Sequence, residues 1–327
     1  MQPVGLIVGH GYVKAVSVDR SVVFPALAAP APASDYVSTV SGANTVHPVR
    51  VNGAGDWLVG EEAQTFAPRR ISSILDRSRY AHPSYRVLVR AALDRLLPDR
   101  GRHLLIRTGM PASWYPDLTA RGALEDAILQ AAAPWAAVTV KIAPEAAGVF
   151  YAWVIESGGV NVARTHGKIG IIDIGYRDFN IASFVDARYV GGISQPGGMF
   201  QALHDIQRLI SRQYQLELSP HEIDSALRRG YVLVDGTARA LPAGTQEALD
   251  RTLDPILSAG RTLWPSGGRD LAALVLGGGG AQMVAASLAA VFPQLAQPAC
   301  PSPQLAGAWG FKQAAMQELR PNRTARG

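Results

Sequence analysis

Two stretches of this 327-residue chain carry the same succession of apolar and polar positions. In Lys168-Ile169-Gly170-Ile171-Ile172-Asp173-Ile174-Gly175 an apolar run ends on an acid and a glycine. Tyr176-Arg177-Asp178-Phe179-Asn180 then leads into a second alternating run over residues 181–186. The pattern predicts a buried strand, a tight glycine turn and a returning strand. Residues 5–19 repeat the design. Val8-Gly9 falls on Ile174-Gly175, and Ile7 stands where Asp173 stands. Two such hairpins, each opening one half of the chain, predict a pseudo-duplicated protein with a nucleotide between its halves.

The remaining pattern predicts an α/β protein. Helical spacing runs over residues 60–66, 83–97, 117–133, 199–214, 245–263 and 283–290. Short strands are expected over 37–58, with turns at Ser41-Gly42 and Asn52-Gly53, and further strands over 103–108, 137–142 and 271–276. The Pro/Ala-rich stretch 24–32 reads as a loop. Pro144 suits a first helical turn, which would carry Glu145 at the positive end of a helix running through Ile155. Ser219-Pro220-His221-Glu222 has the form of a helix start with a capping box.

Several of these turns have chemistry to offer. Gly175 lacks a Cβ, so a phosphate can approach the backbone there, and an Asp at 173 can hold Mg²⁺ through water. An acid at position 7 could hold Mg²⁺ through water or orient an attacking water, and Ile7 can do neither. Glu145 either complements the helix dipole or orients a water that attacks a γ-phosphate. Gly197-Gly198 before a helix offers N–H groups to a phosphate or ribose, or is a plain turn. Gly277-Gly278-Gly279-Gly280 joins a strand to a helix, a nucleotide-contact geometry, without the Lys-Ser/Thr of a P-loop or the dinucleotide spacing.

Composition narrows the classes. At 48% hydrophobic the chain can bury a sizeable core, and 7% aromatic content fits packed α/β layers of small aliphatics. The single cysteine, Cys300, excludes an intramolecular disulfide and a cysteine metal site, and agrees with a cytoplasmic location. The seven histidines have no metal spacing. The N-terminus has no signal-peptide pattern, and no run approaches the roughly 18 apolar residues of a membrane span. A net charge of +5, mostly arginine, permits weak attraction to nucleic acid or an acidic partner, but without a nucleic-acid motif it reads first as solvated surface.

With its motifs placed, the chain resembles the actin/chaperone/sugar-kinase ATPase superfamily, and within it the actin-like proteins of the ParM/StbA type. Residues 5–14 are similar to the phosphate-1 hairpin, residues 173–180 to the phosphate-2 hairpin, and Pro144-Glu145 to the connecting helix that carries the hydrolytic group. Residues 276–280 are similar to the adenosine motif. Thr108-Gly109-Met110-Pro111 and residues 305–311 resemble further segments of the ParM-like branch.

The resemblance implies two actin-like domains flanking a nucleotide cleft, domain I from residues 1–156 with 304–327 and domain II from 157–303. It implies ATP/ADP and Mg²⁺ as cofactors, head-to-tail filaments of the chain, and a DNA-bound adaptor protein in plasmid segregation. It assigns catalysis to Glu145 and Asp173, and Mg²⁺ to Asp173. Nucleotide contacts fall on Gly9, His10, Gly11, Tyr12, Lys14, Gly175, Tyr176, Arg177, Gly197, Gly198, Gly277, Gly278 and Gly279. The family pattern has Asp at position 7, a small polar residue or Asp at 12, and Thr at 13 and 179. This chain has Ile7, Tyr12, Val13 and Phe179, and Asn180 replaces a later Asp. Nucleotide binding is therefore expected to be better preserved than hydrolysis. The alternatives are a pseudo-ATPase scaffold with little turnover and, with less support, a small-molecule kinase of the same fold. A DnaK-type chaperone is not expected, since the sequence stops where such an ATPase domain would end.

Overall fold

The computed structural model describes residues 1–32, 48–72 and 74–320. The chain divides into two compact units. The first comprises Met1–Tyr151, Ser157–Gly159 and the chain from Gly307; the second comprises Ala152–Glu156 and Val160–Ala306.

The first unit is built on a five-stranded mixed sheet. Its strands are β1 (Gln2–Val8), β2 (Tyr12–Val16), β3 (Ser21–Pro25), β7 (His103–Met110) and β8 (Ala137–Pro144), in the order β3-β2-β1-β7-β8. β1 is buried along nearly its whole length, as a strand covered on both faces must be, which explains its unbroken apolar run. A small sheet of β4 (Ala28–Pro30), β5 (Val49–Val51) and β6 (Gly55–Val59) lies between β3 and β7 in the chain, followed by α1 (Glu61–Phe66) and α2 (Pro83–Leu96). The helices α3 (Leu118–Ala131) and α4 (Ala146–Val154) follow β7 and β8. Val87, Leu88, Leu124 and Ile128 join Val4, Leu6 and Ile106 in one core. Each such side chain contributes about 1.5–3 kcal/mol on burial.

Two short strands, β9 (Ile155–Glu156) and β10 (Gly159–Val160), precede the main part of the second unit. Its sheet repeats the topology of the first. The strands β11 (Lys168–Ile174), β12 (Asp178–Val185), β13 (Arg188–Pro196), β16 (Ala273–Gly277) and β17 (Leu295–Ala296) run in the order β13-β12-β11-β16-β17. Around them lie α5 (Phe200–Tyr214), α6 (Pro220–Arg229), the hairpin β14 (Tyr231–Val234) and β15 (Thr237–Ala240), α7 (Thr245–Asp250), α8 (Leu253–Leu263) and α9 (Ala281–Val291). Ile172, Ile181, Leu203, Ile206, Leu274 and Trp264 fill the core, and the Trp264 indole donates to Ser183 Oγ at 2.8 Å. The last helix, α10 (Ala306–Leu319), packs on β1 of the first unit: a Cβ on Gly5 would lie 1.8 Å from the Ala308 carbonyl. Among the described residues no helix is long and apolar enough to cross a membrane.

Three expectations change. Residues 24–32 are not a loop, because Phe24 lies in β3 and Ala28–Pro30 pair with β6 as β4. The helix expected over 245–263 is two helices, α7 and α8. Pro255 explains the break, since it has no N–H to continue the ladder and its ring excludes the carbonyl four residues earlier. Pro144 does not open a helix. It ends β8 opposite Met110, and α4 starts two residues later. The predicted Ser41-Gly42 turn lies outside the described residues, while the Ser219 capping box is present with both of its hydrogen bonds.

Candidate functional site

The two hairpins have the same register. In the first, Val8 pairs with Val13, Ile7 with Lys14 and Leu6 with Ala15. In the second, Ile174 pairs with Phe179, Asp173 with Asn180 and Ile172 with Ile181. Each turn closes on one glycine amide: Gly9 N–H donates to the Tyr12 carbonyl at 3.0 Å, and Gly175 N–H to the Asp178 carbonyl at 2.9 Å. Ile7 and Asp173 are therefore structural counterparts, as are Lys14 and Asn180. A Cβ on Gly175 would sit 2.7 Å from the Asp178 carbonyl oxygen, so the second turn admits no side chain there.

In the second unit, β16 brings the glycine turn to the same sheet end. Asp173 is 7% exposed and lies in register with Gly277. Gly278 has φ of +95°, and a Cβ on it would fall 2.4 Å from Asp173 Oδ1. The carboxylate thus has its place because residue 278 lacks a side chain. Gly280 N–H donates to the Ile174 carbonyl at 3.0 Å, and Gly278 N–H to the Pro303 carbonyl at 3.0 Å. The Gly279 carbonyl accepts from Arg228 Nη2 at 3.0 Å, while the same guanidinium grips Asp224 at 3.0 and 3.2 Å.

Gly197 and Gly198 hold the second turn from behind. Both N–H groups donate to the Arg177 carbonyl at 3.0 Å, and the next two amides donate to Gly175 and Tyr176 carbonyls at 3.1 and 2.7 Å. These glycines therefore brace the turn, and their N–H groups are not offered to a phosphate or ribose. The side chains of Tyr176 and Arg177 are engaged as well. The Tyr176 ring stacks on His221 with centroids 5.7 Å apart, and the Arg177 guanidinium lies 4.7 Å above the Phe200 ring. Burial, opposed by Arg177 and aided by Asp224, pushes the Tyr176 hydroxyl up to about 12. What this turn can present to a ligand is its backbone.

In the first unit, Gly9, His10, Gly11, Tyr12 and Lys14 occupy the β1–β2 turn and the start of β2. The Gly11 carbonyl accepts from Ala26 N–H at 2.8 Å. Ile7 is 4% exposed, and a Cβ on Gly307 would fall 2.6 Å from its Cδ1, so the position equivalent to Asp173 is filled by packing against α10. Glu145 lies directly before α4 and is half-buried. Its N–H donates to the Met110 carbonyl at 2.8 Å, and its carbonyl accepts from Gly148 N–H at 3.0 Å. It thus stands at the positive helix end, where a carboxylate is favoured.

Arg79 is a residue of this turn that the sequence pattern does not disclose. Its guanidinium donates to the Val8 and Gly9 carbonyls at 3.1 and 3.0 Å and covers the Tyr85 ring at 5.3 Å. Burial raises the Tyr85 hydroxyl above its ordinary range, with Arg79 opposing the rise and Glu145 adding to it. Within Arg77-Ser78-Arg79-Tyr80 nothing local separates Arg79 from the surface arginines.

No group of three or more His, Cys, Asp or Glu among the described residues forms a metal cage. Mg²⁺ does not call for such a cage, since it keeps several waters and binds through one or two carboxylates and nucleotide oxygens. Asp173, 7% exposed near the end of β11, offers one carboxylate there.

Residues 5–148 match the family described as actin-like proteins N-terminal domain. No curated protein matches the chain significantly by sequence. Among solved structures, the archaeal actin homologue Ta0583 in complex with ADP superposes with a TM-score of 0.76 at 18% identity, covering 97% of this chain and 100% of that one. A 15-stranded ParM filament from Clostridium botulinum gives a TM-score of 0.75 at 17% identity, over 97% and 99% of the two chains. Apo ParM of pSK41 gives 0.70 at 18% identity, over 96% and 97%. Residues 5–148 thus resemble the N-terminal domain of actin-like proteins, and the chain as a whole has the actin-like fold.

Proposed function

We propose that this chain binds ATP and ADP with Mg²⁺ and assembles head to tail into filaments whose persistence depends on the nucleotide, with hydrolysis weakened by Ile7. The observation that carries the reading is the shared register of the two hairpins, with Asp173 kept in one and Ile7 in its place in the other. Support comes from the archaeal homologue solved with ADP and from the ParM of similar fold solved as a filament.

In this reading the two units are actin-like domains I and II. The turn over Gly9, His10, Gly11 and Tyr12 offers its backbone to phosphate, as does the turn over Gly175, Tyr176 and Arg177, and Lys14 supplies positive charge. Gly277, Gly278 and Gly279 form the surface for adenosine. Asp173 would hold Mg²⁺ through water, and the cation would supply charge neutralisation at the phosphates; Glu145 would orient the attacking water. A heterologous contact between copies that does not close on itself extends into a filament. Segregation of plasmid DNA through a DNA-bound adaptor is the cellular role proposed for it.

A second reading, a scaffold with little turnover, is favoured by the burial of Ile7 against α10. Calorimetric titration with ATP and ADP, with and without Mg²⁺, tests the common core of both. Binding strengthened by Mg²⁺ supports it; no binding of either nucleotide overturns it.

A further inference from the structure

We infer that Arg79 is a positioning residue, whose guanidinium sets the Val8–Gly9 and Gly9–His10 peptides so that the amide edge of the β1–β2 turn faces a phosphate. The inference rests on the nucleotide reading above and extends it to a residue outside both hairpins.

Arg79 belongs to a single 3-10 turn, Arg77–Tyr80, opened by Asp76, whose carboxylate accepts from Ser78 N–H at 2.8 Å. That turn is far from the hairpin in sequence, yet it delivers a planar cation to it. Nη2 bridges the carbonyls of Val8 at 3.1 Å and Gly9 at 3.0 Å. Nη1 lies 3.2 Å from Nε2 and 3.4 Å from Nδ1 of His10. The guanidinium carbon lies over the Tyr85 ring, 5.3 Å from its centroid. A fork of donors stacked on an aromatic face is a contact set that a lysine ammonium cannot reproduce.

The geometry of the peptide unit does the rest. In a trans peptide the C=O and N–H point to opposite sides. Holding the Gly9 carbonyl toward Arg79 turns the His10 N–H to the other side of the turn. The Gly9 N–H is already committed to the Tyr12 carbonyl. Two successive carbonyls tied to one cation leave these peptides little freedom to flip, so the turn is organised before an anion arrives. The guanidinium also adds positive potential beside the turn. Burial keeps the Tyr85 hydroxyl protonated, so the ring stacks on Arg79 without adding a competing negative charge.

The test compares Arg79→Lys and Arg79→Met with the unaltered chain. Affinities for Mg²⁺-ATP, Mg²⁺-ADP and adenosine are measured by calorimetry, and amide hydrogen exchange is followed at residues 9–12. Both variants are expected to bind ATP and ADP about tenfold more weakly, the size of a lost hydrogen bond to a charged group, and adenosine within about twofold. Exchange at the turn is expected to quicken by about tenfold, with the rest of β1 and β2 unchanged. Unchanged exchange with unchanged ATP affinity overturns the inference. So does an equal loss for ATP and adenosine, which marks general damage. If the unaltered chain binds none of the three ligands, the nucleotide reading has failed. Faster exchange in Arg79→Lys then still supports the hold on the turn, and unchanged exchange removes it.

Discussion

Ile7 and Lys14 face each other across the first hairpin, at the position that Asp173 and Asn180 occupy in the second. One charged residue survives in each pair, an amine in the first unit and a carboxylate in the second. If the lost acid limits hydrolysis, Ile7→Asp is expected to raise Mg²⁺-dependent phosphate release by about tenfold. The same change exchanges a buried apolar contact with α10 for a carboxylate and is expected to lower stability by about 1–3 kcal/mol. Phosphate release and thermal unfolding of the same sample check both effects.

Asp173→Asn keeps the shape of the side chain and removes its charge. The affinity for ATP in Mg²⁺ is expected to fall to the value measured in EDTA, since an amide is a poor partner for the hydrated cation. Glu145→Ala, by contrast, is expected to slow phosphate release with affinity retained. Titration calorimetry and a phosphate assay separate the two.

Gly278→Ala tests whether the glycine turn is shaped for Asp173. The new methyl would lie 2.4 Å from both Asp173 Oδ1 and the Ile174 carbonyl, in a backbone of positive φ. A loss of about 2–4 kcal/mol is expected, read by denaturant unfolding. Gly279→Ala, which meets nothing closer than Gln304 Cγ at 3.9 Å, is the control and is expected to stay within about 1 kcal/mol of the unaltered chain.

The hairpins were legible because the signal is local. An apolar run, a glycine and a returning alternation fix strand, turn and register together, and they identified Ile7 as the counterpart of Asp173. The glycine turn after β16 was readable for the same reason. Pro144 was misread because proline suits both a first helical turn and the end of a strand, and pairing with Met110 decided between them. Gly197 and Gly198 were recognised as a turn, but their use depends on a carbonyl twenty residues earlier in the chain, that of Arg177. Arg79 was out of reach altogether, because its partners are about seventy residues away and come only with the fold.

Lys312 gives a prediction about pH. It is 4% exposed, with its ammonium 3.7 Å from the centre of the Trp309 ring and a hydrogen bond to Gln313 Oε1 at 3.1 Å. Burial lowers its pKa from the ordinary lysine value. The unfolded chain therefore holds this proton to higher pH than the folded chain does, and the group's unfavourable contribution is full below the folded pKa. It fades as pH rises from there toward the ordinary lysine value. Lys312→Met is expected to raise the melting temperature at pH 7, with a smaller gain at pH 10. Thermal unfolding at the two pH values checks the sign.

Sedimentation of the purified chain in Mg²⁺-ATP, in Mg²⁺-ADP and without nucleotide, with released phosphate measured in the same tubes, bears most directly on the pairing of a kept Asp173 with a lost acid at position 7. Pelleting that depends on nucleotide, with ATP retained in the pellet and phosphate appearing slowly, is the expected result. Equal pelleting in all three conditions, or none in any, would contradict it.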